Sequence, residues 1–454
     1  MAEMGRFCDL PSEVVEKIML LVPADSLVEC KSVNKFWYSC ISTFINDPKF
    51  VAKHLLNTKN ESSISFLCFN DPSPHDDHRM ITYPLLNIVH VDGNDEGADD
   101  DDTIIHDDDD DDDTIIHDND HVTIINGYDD DVTVIHDDDD DVVTIILEDD
   151  DDDGKKDHFR TVTVDLSMPL LDMNRWNKIY HCDGLLLLVN DGIEETITMA
   201  LCNPALKEFM ILPQPKNSVT SKAYHHIGLE HDSRNNKYKC VYIWLGDEEE
   251  CKVEVYTVGS DSWREINMSQ DVMDYIVHTQ LCNAVCFGGV CYWYISQPGI
   301  DKILSFDMSS EEFRMIDLPD FEHFYAAEDF LVSYSTRLAV WNDSVVMYLA
   351  PDFTWGNKLI FFVFTMDKGV AGGWTKYVQI GPLEKYYNNL LPFWKNDEIL
   401  MEVFVDDTRV YYLASCNIRT GKLRNVFGVD RKLKIYYNSF CLYEKSLVSI
   451  RKEI

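Results

Sequence analysis

Apolar positions in the first fifty residues recur at helical spacing. Val14, Val15, Ile18, Leu21 and Val22 form one stripe, and Leu27, Cys30, Val33, Trp37, Ile41 and Phe44 form a second. Pro11 suits a first helical turn, where its missing N–H costs nothing, and Glu13 suits the positive end of a helix. Pro23 ends one helix and opens the next, and Asp47-Pro48 closes the unit. So few residues bury too little surface to be stable alone. Such helices need a further surface, supplied either by the rest of the chain or by another molecule.

From "RTVTVDLSMPL" onward the texture becomes that of short strands: "GLLLLVN", "KYKCVYIWL", "KVEVYTV", "GGVCYWYIS", "ILSFDM", "RLAVWNDSVVMYLA", "KLIFFVFTMD" and "VYYLASCN". Long amphipathic helices are absent, so this region is all-β. A longer period is also present. "LCNPALKEFMILP", "VEVYTVGSDSWREI", "ILSFDMSSEEFRMIDLP", "FTMDKGVAGGWTKYVQI" and "ASCNIRTGKLRNVFGV" each read as strand, polar turn, strand. Their turns near Pro204, Ser260, Ser309, Gly372 and Thr420 are 56, 49, 63 and 48 residues apart. A recurrence of about 50 residues is that of a kelch-like β-propeller, and the region has room for about five or six blades. Gly288-Gly289 ahead of "VCYWY" is similar to the double glycine of such blades. Tandem β-sandwiches are the competing architecture.

Between the two regions the pattern breaks into aspartate. T-I-I-like triplets at Thr103, Thr114, Thr123, Thr133 and Thr144 make an imperfect short repeat. Residues 91–157 hold 31 Asp and Glu against two Lys, a net of −29 within a chain net of −42. Such repeats bury too few apolar groups to offset chain ordering, and the aspartates repel one another. The expectation is a disordered insertion or a weakly structured loop. Asp149, Asp151, Asp153 and Gly154 mimic half of a calcium-binding EF-hand loop, but its twelfth position is Arg160, not an acid. His106, His117, His121 and His136 add ligands without fixed geometry. Weak, nonspecific divalent binding follows. The resulting boundaries are 5–50 for the helical unit, 51–90 for a connector and the start of the β region, 91–157 for the acidic block, and 158–450 for the β domain.

The chain has 454 residues, enough for two or three domains, and outside the acidic block it carries a net of only −13. That sign argues against nucleic acid and anionic membranes as partners and favours basic ones. No run of 18 apolar residues exists to cross a membrane. "MAEMGRFCDLPSEVV" lacks the basic-then-apolar form of a secretory signal. Thirteen cysteines, scattered and mostly in apolar runs, suit reduced thiols, hence the cytoplasm or nucleus.

No catalytic constellation emerges, and no cofactor is indicated. Cys282, Cys286 and Cys291 are irregularly spaced for zinc and read as core thiols. His225-His226 precede Gly228 in what reads as a turn. Adjacent residues of a strand face opposite ways, so His181 and Cys182 do not pair. "GSDSW" is no nucleophile elbow, and no phosphate-cradling GxxxxGK[ST] occurs. Trp244, Trp263, Trp293, Trp341, Trp374 and Trp394 read as core.

Two resemblances add to this. Leu10-Pro11, Ile18, Leu21, Pro23, Leu27, Cys30, Val33-Asn34-Lys35, Trp37, Ile41 and "DPKFVAKHL" together resemble the F-box. The resemblance implies docking on the Skp-type adaptor of a cullin-based ubiquitin ligase, through Leu10, Pro11, Ile18, Leu21, Pro23, Leu27, Cys30, Val33, Trp37 and Ile41. Trp37, Leu27 and Pro11 are the expected anchors, since large buried side chains carry most interface energy. "CDGLLLLVN", "NPALKEFMILP", "YKCVYI", "VEVYTVGSDSWREI", "ILSFDMSSEEFRMIDLP" and "LPFWKNDEILM" resemble the F-box-associated domain of plants. Within that group "SDSWR" and "SFDMSSEEF" are similar to the S-locus F-box proteins, pollen receptors that recognise S-RNases in self-incompatibility. The implied protein is a noncatalytic receptor that brings a protein substrate, an S-RNase in the narrowest reading, to the ligase for degradation. The alternatives are the same kind of receptor for an unrelated target, a propeller enzyme or carbohydrate binder, and an aspartate-rich cation buffer on a scaffold.

Overall fold

A computed structural model describes residues 10–59, 64–69, 86–91, 122–124, 132–136 and 143–147, and 176–451 with short gaps at 177, 192–195, 219–222, 247–249, 278, 283, 297–301, 320–333, 352–358, 368–372, 384–386, 396, 406–409, 419–422 and 430–439. Four helices come first: α1 (Ser12–Met19), α2 (Ala24–Cys30), α3 (Lys35–Ile45) and α4 (Pro48–Lys59). Pro11 and Pro23 stand at the N-caps of α1 and α2. The Pro11 carbonyl accepts from the backbone N–H groups of Val14 and Val15. The second apolar stripe is broken after Val33, where the Asn34 side chain caps α3 by accepting from the N–H groups of Phe36 (2.9 Å) and Trp37 (3.1 Å). Asp47-Pro48 does not close the unit. The Asp47 carboxylate accepts from Lys49 N–H and Pro48 takes a first-turn position, so the pair starts a fourth helix that runs to Lys59.

Strands β1 (Ile64–Phe69) and β2 (Leu86–Val91) follow, and then three of the aspartate-flanked triplets. These form an antiparallel sheet of β3 (Val122–Ile124), β4 (Val132–His136) and β5 (Val143–Leu147), with Thr123 opposite Val134 and Thr133 opposite Ile146. The paired residues are largely β-branched, which favours extended backbone. The triplets at Thr103 and Thr114 lie outside the described residues.

Each predicted strand run falls on a strand, except that "RLAVWNDSVVMYLA" spans two joined by a turn at Asn342-Asp343. The sheets follow in chain order. The first holds β6 (Lys178–Cys182), β7 (Leu185–Asn190), β8 (Thr198–Asn203) and β9 (Glu208–Ile211). The second holds β10 (Tyr224–Asp232), β11 (Lys237–Leu245), β12 (Cys251–Thr257) and β13 (Arg264–Ile266). A short helix, α5 (Gln270–Ile276), leads to a third sheet of β14 (Gln280–Leu281), β15 (Val285–Phe287), β16 (Val290–Ser296), β17 (Lys302–Asp307) and β18 (Glu312–Asp317). The fourth comprises β19 (Tyr334–Trp341), β20 (Ser344–Pro351), β21 (Leu359–Met366) and β22 (Trp374–Leu383). The fifth comprises β23 (Tyr387–Lys395), β24 (Glu398–Val405), β25 (Val410–Asn417) and β26 (Leu423–Val429). Strand β27 (Phe440–Tyr443), the last of the chain, pairs with β1 beside β2, so a strand from just after the helices and the final strand share one sheet.

Leading strands meet in a closed circuit. β6 neighbours β10, β10 neighbours β15 and β16, these neighbour β19, β19 neighbours β23, β23 neighbours β27, and β27 returns to β6. Sheets arranged radially about such a circuit form a propeller, not tandem sandwiches. Of the turns that recur about every 50 residues, those at Pro204, Ser260 and Ser309 join the third strand of a sheet to its fourth, and those near Gly372 and Thr420 lie outside the described residues. Cores lie between adjacent sheets. Leu187, Leu201, Ile227, Tyr242, Tyr256 and Trp263 fill one, and Val241, Val255, Trp293, Leu304 and Phe306 fill the next. Trp263, Trp293 and Trp341 are buried as expected.

His225 and His226 are not in a turn. Both lie in β10, buried, and His225 Nδ1 is 2.7 Å from the Tyr242 hydroxyl. Burial lowers the His225 pKa to about 4 and that of His226 to about 3, so both rings are neutral at physiological pH. Gly228 serves packing: a Cβ there would lie 2.6 Å from the sulfur of Cys291 in the next sheet.

A charged network ties the second sheet to the third. Lys239 Nζ lies 2.7 Å from Asp232 and 2.9 Å from Glu311, and donates to the Met308 carbonyl at 2.8 Å. Asp232 has no exposed side-chain surface and also accepts from the Ser309 hydroxyl and from Asn235. Burial alone would raise its carboxyl, but hydrogen bonds from Lys239, Asn235 and Ser309 outweigh that and hold it well below the aspartate range. A carboxylate with a depressed folded pKa stabilises the fold above the unfolded value, about 3.9, and that contribution is lost as pH falls toward the folded value. Asp232→Asn is therefore expected to cost about 3 kcal/mol at pH 7, since it leaves a nearly buried ammonium short of a partner. Urea denaturation at pH 7 and pH 3 is the check: the variant should lose less stability on acidification than the unaltered chain.

Candidate functional site

The four helices present two faces of opposite fate. Val15, Met19, Ala24, Leu27, Ile41 and Phe50 are buried, and Ala205 and Leu447 of the β domain complete their cluster. On the other side large apolar groups stand in solvent. Leu10, Val14, Ile18 and Leu21 recur three or four residues apart along α1 and the residues flanking it, with Leu21 76% exposed. Val33 (64% exposed), Phe36 and Tyr38 (62%) cluster around the start of α3. Trp37 lies half-buried beside them, its ring edge-to-face with Phe36 at 6.5 Å.

The expected contact residues therefore divide. Leu10, Pro11, Ile18, Leu21, Pro23 and Val33 are exposed, and Cys30 and Trp37 are half-buried. Leu27 and Ile41 are 2% and 1% exposed. As placed here they support the outer face from below and offer no contact surface, because the stripe that carries them turns inward toward Ala205 and Leu447. Val14, Phe36 and Tyr38 are also exposed on the outer face. Val14 sits in the stripe read from the sequence, but spacing does not say which half of a stripe points outward.

Two regions match family models: residues 7–49 the F-box domain, and residues 145–450, more than half of the chain, the F-box associated beta propeller domain. The chain belongs to the F-box-associated beta propeller family. It is 25% identical to At3g17500 of Arabidopsis thaliana, which carries an F-box name, over 57% of this chain and 64% of that one. It is 29% identical to the F-box protein At2g15640 of the same plant, over 38% of this chain and 40% of that one. These alignments span about two fifths to just under two thirds of the relatives' own lengths. Among solved structures, oligogalacturonate lyase in complex with manganese aligns at 10% identity and a TM-score of 0.36, over 68% of this chain and 76% of that one. So slight a likeness has no bearing on chemistry.

The F-box is seated on the propeller by apolar contact and two ion pairs. Lys445 meets Asp25 at 2.6 Å, and Lys59 at the end of α4 meets Asp183 at 2.7 Å. Asp183 stands at the rim of a cavity of about 770 Å³ where the leading strands converge, lined by Tyr180, His181, Glu230, Cys286 and Glu444 among others. Burial would raise the Asp183 carboxyl, but Lys59 and a hydrogen bond from Tyr238 (2.9 Å) hold it down. Burial raises the Glu230 and Glu444 carboxyls. His181 and Cys182 go separate ways, as expected. His181 Nε2 accepts from Gly184 N–H at 3.0 Å, and burial lowers its pKa to about 4. The Cys182 thiol donates to Glu230 at 3.4 Å, and burial pushes it well above the ordinary thiol range, which keeps it a protonated, poor nucleophile. Among the described residues, no three His, Cys, Asp or Glu side chains are gathered to hold a metal.

Stability and surface exposure separate the two faces of the F-box. Leu27→Ala is expected to destabilise the chain by about 2–5 kcal/mol, through lost burial and a residual cavity. Leu21→Ala should fall within about 0.5 kcal/mol of the unaltered chain. Thermal and chemical denaturation of the two variants side by side is the measurement.

Proposed function

We propose that this chain is the substrate-recognition subunit of a Skp-cullin-F-box ubiquitin ligase, with the F-box on the adaptor and the propeller on a protein target. The observation that carries this reading is the divided F-box. Its inner face is already satisfied by Ala205 and Leu447, yet Leu10, Val14, Ile18, Leu21, Val33, Phe36 and Tyr38 remain outside in water. Exposed apolar rows on short helices are the form of a helix-in-groove partner surface. In this role the chain makes and breaks no bonds. It raises the rate of ubiquitin transfer by holding the target beside a charged conjugating enzyme.

The narrower form of the proposal makes the target an S-RNase, a basic secreted protein taken up by the pollen tube, in self-incompatibility. Its support is the S-locus resemblance and the acidic balance, which favours encounter with basic partners. The residues that carry that resemblance serve largely as scaffold. Trp263 is buried and donates to the Pro213 carbonyl, Arg264 pairs with Glu311, and Ser309 donates to Asp232. A propeller shared by receptors of many targets would use them the same way, so target choice has to reside elsewhere on the surface.

The test is adaptor binding. The full chain should copurify with a Skp-type adaptor and cullin, and Ile18→Asp combined with Val33→Asp should abolish this without unfolding the protein. Trp37→Ala is expected to cost about 2–4 kcal/mol in calorimetric titration with the adaptor. Undiminished binding by the double variant would refute the assigned face. Capture of an S-RNase that survives the F-box double substitution would support the narrower target, and failure of a panel of S-RNases to bind would remove it.

A further inference from the structure

We propose that Cys286 and Cys291 form a reversible redox modification site in the wall of the axial cavity, with a low-molecular-weight disulfide such as glutathione disulfide as its oxidant. This corrects the reading of these residues as separate core thiols: they are bonded to each other, with Cα atoms 4.1 Å apart. The inference stands apart from the adaptor-binding reading.

The hairpin explains the pairing. β15 and β16 are joined by Gly288-Gly289, both at positive φ (+64° and +86°), which gives a two-residue turn. Phe287 and Val290 face each other next to the turn, Cys286 faces Cys291, and Val285 faces Tyr292. Pairing alternates along an antiparallel ladder, and the second pair from such a turn is the non-hydrogen-bonded one, where side chains stand closest. The register is thus set by the glycines, with or without a sulfur bond. The crosslink joins residues only five apart, so it removes little freedom from the unfolded chain. It is not the staple of this sheet.

Access is one-sided. Cys291 is fully buried, its sulfur beneath Gly228. Cys286 is half-buried and lines the cavity. Cys182, Cys202, Cys240, Cys251, Cys282 and Cys416, free thiols, are all pushed up by burial, which disfavours the reactive thiolate. Oxidation begins when the Cys286 thiolate attacks one sulfur of glutathione disulfide. One glutathione leaves as thiolate and takes up a proton, and a mixed disulfide remains on Cys286. The Cys291 sulfur, giving up its proton, attacks Cys286 Sγ and expels the second glutathione. Two protein thiols are oxidised and one glutathione disulfide is reduced to two thiols. In the oxidised state the Cys286 sulfur is tied back to Cys291; in the reduced state a free thiol stands at the cavity wall.

The full chain, equilibrated at a series of glutathione to glutathione-disulfide ratios, quenched in acid and differentially alkylated, tests this by fragment-resolved mass spectrometry. Cys286 and Cys291 are expected to lose alkylation together, following the square of the glutathione concentration, while Cys282 stays alkylated throughout. Free thiols at the most oxidising ratio, a bond that resists dithiothreitol in the native protein, or pairing through Cys282 would each overturn the proposal. Cys286→Ser is the second arm: with its partner gone, the buried Cys291 is expected to stay alkylated at every ratio, and oxidation of Cys291 in that variant would overturn entry through Cys286.

Discussion

The tail from Glu444 to Arg451 forms no strand, so its backbone polar groups must find partners elsewhere. Two buried side chains supply them. Asn203 Nδ2 donates to the carbonyls of Ser446 (3.0 Å) and Val448 (2.7 Å), and Glu208 accepts from Ile450 N–H (2.9 Å) and from the Ser449 hydroxyl. The Ser446 hydroxyl reaches back to the Asp183 carbonyl, in a space so close that a Cβ on Gly184 would lie 2.4 Å from it. With the tail fixed this way, β27 can pair with β1 and Leu447 can enter the F-box core. Ring closure and seating of the helices both depend on one irregular segment.

Magnitudes decide what kind of seat this is. Lys59 is 42% exposed in its pair with Asp183, and Asp25 is 38% exposed in its pair with Lys445. Ion pairs so open to solvent contribute at most about 1 kcal/mol each. Burial of one Leu side chain is worth about 1.5–3 kcal/mol, so Leu447 with Ala205 against Met19, Leu27 and Phe50 outweighs both. The apolar patch holds the F-box on, and the two ion pairs, one in the first turn of α2 and one at the end of α4, select its orientation.

Much of this was legible in the sequence, where the information is local. Helix punctuation by Pro11 and Pro23, the strand runs and the turns at Pro204, Ser260 and Ser309 correspond to elements seen. What failed was nonlocal or ambiguous. Proline both ends helices and begins them, and at Pro48 the second role wins. Gly228 reads as a turn until the sulfur of Cys291 arrives from another sheet. The inward half of the F-box stripe is chosen by Ala205 and Leu447, far along the chain, so Leu27 could not be told from Leu21 by spacing. The Cys286–Cys291 bond was within reach: two glycines flanked by Phe287 and Val290 place the cysteines opposite each other by hairpin arithmetic alone.

A receptor that performs no bond chemistry contributes only distance and orientation. A target held by a loosely tethered domain samples many positions, and its effective concentration at the conjugating enzyme falls as the tether lengthens. On the receptor reading, a propeller locked to its F-box through the tail would hold any target at one place relative to the adaptor. The acidic block adds little to this. Its charge is screened within about 8 Å at physiological salt, so it can speed encounter but cannot set geometry. On the receptor reading, the part of the chain with the most unusual composition matters less than eight tail residues and the two side chains, Asn203 and Glu208, that hold them.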